Sequence, residues 1–228
     1  MNGLWPSLLP FILGGAFVPI QLVITILLLR SGRGPVAAAG FVGGMTAVRL
    51  AQGLVFGLVI AGSDMGTTES GSSGSSPVVS GVLVTLALVL YAAAVKQFTA
   101  DDDPDAPPPK WITMTETMTA AKAFVLGVGL LAIGAKFWVF TLGAIGVIGD
   151  ADLSRTSSIL TFIAFVFLTE VLHLVILGVA LVMPGRSAAA LDRTAGWLKD
   201  HNRVIVIVLS MVFGTWFLLK GLDGLGVL

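Results

Sequence analysis

The run SSILTFIAFVFLTEVLHLVILGVALV, residues 157–182, is apolar from end to end apart from a few hydroxyls and, near its centre, Glu170 and His173. It lacks the alternation of a half-buried strand, and it exceeds the ~20 residues that carry a helix across ~30 Å of hydrocarbon. Five more runs of the same character lie outward from it, at about 4–29, 36–62, 77–95, 122–148 and 203–222. Hydrophobic residues make up 56% of the chain and charged residues 11%, with a mean hydropathy of +0.98, more than a soluble core requires. The expected fold is an all-α integral membrane protein with six transmembrane helices, since no run shows the period-2 pattern of barrel strands. The longer runs imply tilt or kinks. The first has no basic n-region or small-residue cleavage site and reads as a retained helix, not a signal peptide.

The 228 residues contain no cysteine, which excludes disulfides, thiol redox chemistry and thiolate metal sites. Basic residues are unevenly placed. Arg30, Arg33, Lys96, Lys110, Lys122, Arg186, Arg193, Lys199 and Arg203 fall in or beside three loops, whereas the alternate loops and ends hold only Arg155 and Lys220. The positive-inside rule puts those three loops in the cytoplasm and both termini outside. The Ser/Gly-rich segment 62–76 reads as a flexible external loop. The acidic, Pro-rich stretch Asp101–Pro109 reads as an extended cytoplasmic linker. Residues 187–202 suit a short helix on the inner headgroup layer, with Leu191, Trp197 and Leu198 interleaved with Arg193, Lys199 and His201.

The linker divides the chain into three-helix halves, 1–95 and 122–228, joined by 96–121. Three spans are an odd number, so the second half must be inverted relative to the first. A shift of 121 residues lays Phe41 on Phe162, Arg49 on Glu170 and Gln52 on His173; a shift of 115 lays Pro19 and Gln21 on Gly134 and Lys136.

A charge at the bilayer centre costs ~2.5–3.5 kcal/mol on insertion scales, so Arg49, Lys136, Glu170 and His173 are the strongest functional candidates. Arg49 and Gln52 share a face of the second span, and Glu170 and His173 a face of the fifth. Arg49 and Glu170 are expected to pair, leaving Lys136 to meet an anionic or strongly polar ligand group. Glu170 beside His173 also offers a proton relay. The alternative is a permanent ion pair that fixes helix register, with His173 a packing residue. Glycines spaced by three or four suit close helix packing. Gly14-Gly15 before Pro19, and Gly134 before Lys136, are candidate helix breaks.

Pro19-Ile-Gln-Leu, Arg30-Ser-Gly-Arg-Gly-Pro35, Gly40-Phe-Val-Gly-Gly-Met, Gly127-Val-Gly-Leu ahead of Lys136, and Leu191-Asp-Arg-Thr-Ala-Gly-Trp-Leu-Lys-Asp-His-Asn202 together resemble the actinobacterial glycolipid-addressing (GAP) family, which includes the sulfolipid-addressing protein, within the lysine-exporter superfamily. The resemblance covers nearly the whole chain. The Asn-Pro-Lys typical of the family's fourth helix is reduced here to Lys136 after Gly134-Ala135. The resemblance implies two inverted three-helix halves in the inner membrane and a role in moving glycolipids toward a lipid-rich envelope. Expected partners are the lipid or glycolipid substrate and the membrane, with a large lipid transporter and a second copy of the chain as candidates and no nucleic acid. No cofactor is expected; with no Walker loop, ATP is not the expected energy source. An enzyme is not expected either. Two other readings stay open: export of a small solute such as an amino acid or cation, and a non-transporting assembly role in a lipid-export complex.

Overall fold

The computed structural model describes residues 3–62, 77–99 and 115–227. Among them are ten α-helices: α1 (Leu4–Ala16), α2 (Pro19–Arg30), α3 (Gly34–Gly62), α4 (Pro77–Thr99), α5 (Ala120–Ile133), α6 (Ala135–Gly149), α7 (Arg155–Thr169), α8 (Val171–Val182), α9 (Pro184–Asp200) and α10 (Asn202–Gly224). Helices α3 and α10 are each long and apolar enough to cross a membrane, and the pairs α1–α2, α5–α6 and α7–α8 pass the same test as single bent spans. Within α4, Leu83–Thr99 forms a shorter apolar helix. The protein is therefore an all-helical bundle with helices of membrane-spanning length. The Ser/Gly-rich segment 63–76 and the acidic, Pro-rich stretch lie outside the described residues.

Three sharp bends interrupt the bundle. Between α1 and α2 the axis turns by 52°. There Val18 is extended, at φ −99° and ψ 101°, as the residue before a proline must be, and Pro19 opens α2 with the fixed φ that suits a first turn. Between Ala120–Ile133 and Phe137–Gly149 the turn is 70°. A Cβ on Gly134 would lie 2.5 Å from the Phe137 ring and 2.8 Å from the Leu130 carbonyl oxygen, so the break needs glycine for space. The indole Nε1 of Trp138 donates to the carbonyls of Leu131 and Ala132, at 3.0 and 3.1 Å, which supplies partners to backbone groups at the break. The third bend, 55° between α7 and α8, was not expected from sequence, for it has neither glycine nor proline. The Thr169 hydroxyl donates to the Val166 carbonyl at 2.7 Å, the kind of local competition that bends helices.

Glycines set the helix crossings. α3 and α5 run parallel in close contact: Cβ atoms on Gly40, Gly44 and Gly127 would fall 2.5, 2.2 and 2.2 Å from the carbonyl oxygens of Ala120, Phe124 and Phe41. α1 and α6 run antiparallel, with the Phe11 ring over Gly143 and the Phe140 ring over Gly14. α4 and α10 are also antiparallel, Gly214 facing Tyr91 and Gly221 facing Val84. These crossings bring the helix ends into two groups. At one end Arg30 pairs with Asp192, and Arg203 donates to the Phe98 carbonyl at 2.7 Å. At the other end Ser7, Asp150, Leu153 and Lys220 come together.

The 96–121 segment is described only at its ends: α4 continues to Thr99, and Thr115 and Met118 are buried, Met118 in a cluster with Leu28, Ala38 and Phe41. One expectation changes. In the 187–202 segment a helix does form, but Leu191 and Leu198 are buried against α2, beside Ile26 and Leu22, instead of facing the headgroup layer. Of the three apolar residues only Trp197 is left exposed, stacked on His201. Spacing of 187, 191, 195 and 198 puts one stripe toward α2, and protein contact buries it better than a wet interface.

Candidate functional site

The α1–α2 and α7–α8 bends and the middle of α3 converge on one buried polar cluster. Its members are Gln21 and Thr25 of α2, Arg49 and Gln52 of α3, and Thr169, Glu170 and His173 around the α7–α8 bend, each at most 5% exposed. Gly15, at the end of α1, closes one side; a Cβ there would touch the Thr169 methyl at 3.0 Å.

Arg49 Nη1 lies 3.1 Å from Glu170 Oε1 and donates to the Thr169 hydroxyl. The carboxylate contact is ionic, for neither Glu170 oxygen has an aligned hydrogen bond. On its other side Glu170 Oε2 is 3.9 Å from His173 Nε2. The Thr25 hydroxyl donates to the Gln21 carbonyl at 2.9 Å and lies 3.0 Å from His173 Nδ1. A hydroxyl has one proton, so Thr25 accepts from His173 Nδ1–H, and this assigns Nε2 of the neutral ring as a bare acceptor facing Glu170. One proton shared between Nε2 and the carboxylate would join the two.

Further polar atoms are left without partners among the described residues: both amide atoms of Gln21, both of Gln52, and His173 Nε2. Leaving a buried polar group unsatisfied costs ~1–3 kcal/mol, so a cluster of them is expensive unless it serves water or a polar ligand group. Opposite charges at short range, hydroxyls and free amides together can hold a polar head group or pass a proton.

The expected pairing of Arg49 with Glu170 is thus present, and Gln21, Gln52 and His173 join it. Pro19 opens the helix that carries Gln21, and Gly134 forms the second break. Val18 at the first break and Phe137 beyond the second share an apolar cluster with Met45 and Leu177. Lys136 occupies the first turn of α6; its side chain lies outside the described residues. Thr25 and Thr169 were missed. Thr25 is four residues from Gln21 and so on its face of the helix, and Thr169 adjoins Glu170, but a search for charge passes over hydroxyls that can bond their own helix.

A family model described as Sap, sulfolipid-1-addressing protein, matches residues 8–223. No curated protein and no solved structure matches the chain.

Proposed function

The chain belongs to the sulfolipid-1-addressing protein family, and from that premise we propose that it is a multi-pass inner-membrane protein that moves, or helps to move, a lipid or glycolipid head group toward the cell envelope through the buried polar cluster. The observation that carries the reading is the set of Gln21 and Gln52 amides, without partners among the described residues, beside the Arg49–Glu170 pair where two bent spans meet α3. Polar groups inside a membrane bundle are costly and mark pathways. The proposed activity makes and breaks no covalent bond.

In this reading the six spans form two inverted halves, 1–95 and 122–228. The support is that the first span of each half is the one broken beside a proline or glycine, at Ala16–Pro19 and Ile133–Ala135. Lys136, in the first turn after the second break, is the proposed head-group contact. The Glu170–His173 pair is the proposed point of proton coupling. A large lipid transporter is the proposed partner beyond the lipid itself.

Gln52→Leu tests the pathway. Removing an unsatisfied buried amide should leave unfolding temperature in detergent unchanged or raised, since it relieves up to ~1–3 kcal/mol. Delivery should fall at least ~tenfold, measured as surface-extracted against total lipid in a deletion strain carrying the variant. Wild-type delivery by this variant would remove the cluster from the path.

Orientation has its own test. Arg30 at the end of α2 and Arg203 in the first turn of α10 lie at the same end of the bundle, and the positive-inside rule supports reading that end as the cytoplasmic one. Single cysteines at exposed Thr156 and Thr194 should then behave oppositely in intact cells: an impermeant thiol reagent labels Thr156→Cys and spares Thr194→Cys. The reverse pattern would invert the orientation.

A further inference from the structure

At the end of the bundle away from the basic loops, a cavity of about 350 Å³ opens between α1, α4, the α6–α7 turn and α10. Leu4, Val147 and Leu153 give it apolar walls, and Ser7, Asp150 and Lys220 contribute polar groups. Asp150 and Lys220 line the same cavity but form no ion pair with one another among the described residues. Lys220 sits 5.3 Å from the Trp216 ring centre, and the aromatic face steadies its ammonium.

We propose that this cavity binds a sugar ring of a glycolipid head group, as a second site separate from the buried cluster. The chemistry selects the class. An anion at Lys220 would meet the Asp150 carboxylate, a cation at Asp150 would meet the ammonium, and a zwitterion would satisfy both charges but leave the apolar walls unmatched. A polyhydroxyl ring has donors for the carboxylate, acceptors for the ammonium and a C–H face for Leu4, Val147 and Leu153. Burial pushes the Asp150 carboxyl above the usual carboxylate range, with Lys220 opposing and Asp152 adding to the shift, so a donated hydroxyl would relieve a partly desolvated group. The volume is near the lower limit of ligand pockets, ~300–1,000 Å³, and suits a head group whose chains remain in lipid. Calling it an exit-side site rests on the lipid-export reading; the binding itself does not.

The test titrates the full chain in phospholipid nanodiscs with hexyl maltoside, maltose and hexyl phosphate by calorimetry. Hexyl maltoside should saturate one site, maltose should bind there more weakly, and hexyl phosphate more weakly still. Asp150→Asn and Lys220→Met should each raise Kd for hexyl maltoside at least ~tenfold, as loss of a charge-assisted hydrogen bond implies. Asp192→Asn, at the opposite end, should bind as wild type, and unfolding temperatures will show that all three variants are folded. Absence of saturable binding, unchanged Kd in both pocket variants, or tighter binding of hexyl phosphate would overturn the site. Maltose binding as tightly as hexyl maltoside would overturn the lipid source. Because this measures binding and the Gln52→Leu test measures delivery, either can fail without the other.

Discussion

Glu170→Gln is expected to destabilise the fold by about 3–5 kcal/mol, because it strands the Arg49 guanidinium in a site where, among the described residues, the Thr169 hydroxyl is the acceptor left to it. Desolvating a charge is tolerated when the partner sits close by, and Glu170 Oε1 at 3.1 Å is that partner. Removing both charges removes the conflict. The Arg49→Met, Glu170→Gln double variant should therefore recover most of the loss, a coupling that independent sites would not show. Reversible unfolding in detergent micelles, followed by circular dichroism, measures both. A single variant as stable as wild type would mean that the pair contributes nothing to holding α3 against the α7–α8 bend, and the double variant would then show no recovery.

The second large effect is expected at Gly44. Its missing side chain is what lets α3 meet α5: a Cβ would lie 2.2 Å from the Phe124 carbonyl oxygen and 3.1 Å from the Val128 nitrogen. Both are backbone atoms, so no rotamer change can make room, and the helices must separate along their crossing. Gly44→Ala should cost at least the upper end of the ~1–3 kcal/mol seen for overpacked cores. Gly43 next to it is the control. Its nearest neighbour would be the Phe124 ring at 3.9 Å, an ordinary contact, so Gly43→Ala should be neutral or gain up to ~1 kcal/mol from helix propensity. Equal unfolding temperatures for the two alanine variants would show that the α3–α5 crossing can relax.

Charge and spacing made much of the cluster legible. Arg49, Glu170, Gln52 and His173 were found because ionisable and amide groups at mid-span violate the solvent preference of the bilayer, and the three-residue spacing put each pair on one face. Gly14-Gly15 before Pro19, and Gly134, marked two of the bends for the same reason: local chemistry breaks a helix wherever it occurs. The α7–α8 bend was invisible because nothing in Phe167-Leu168-Thr169-Glu170-Val171 breaks a helix by itself. The face of α9 was equally ambiguous, for an amphipathic stripe fits a headgroup layer and a neighbouring helix alike.

The sequence by itself determined the all-helical class, the extent of each apolar run and which residues are too polar for their surroundings, because hydropathy and proline or glycine chemistry act over a few residues. Tertiary structure alone decided that Thr25 orients His173, that Thr169 and Glu170 share Arg49, that α9 lies on α2, and that Asp150 and Lys220 face one cavity. Each of those brings together residues 70 or more positions apart. Which distant faces meet is fixed by the packing of whole helices, through glycine crossings and bends whose effects no local pattern records.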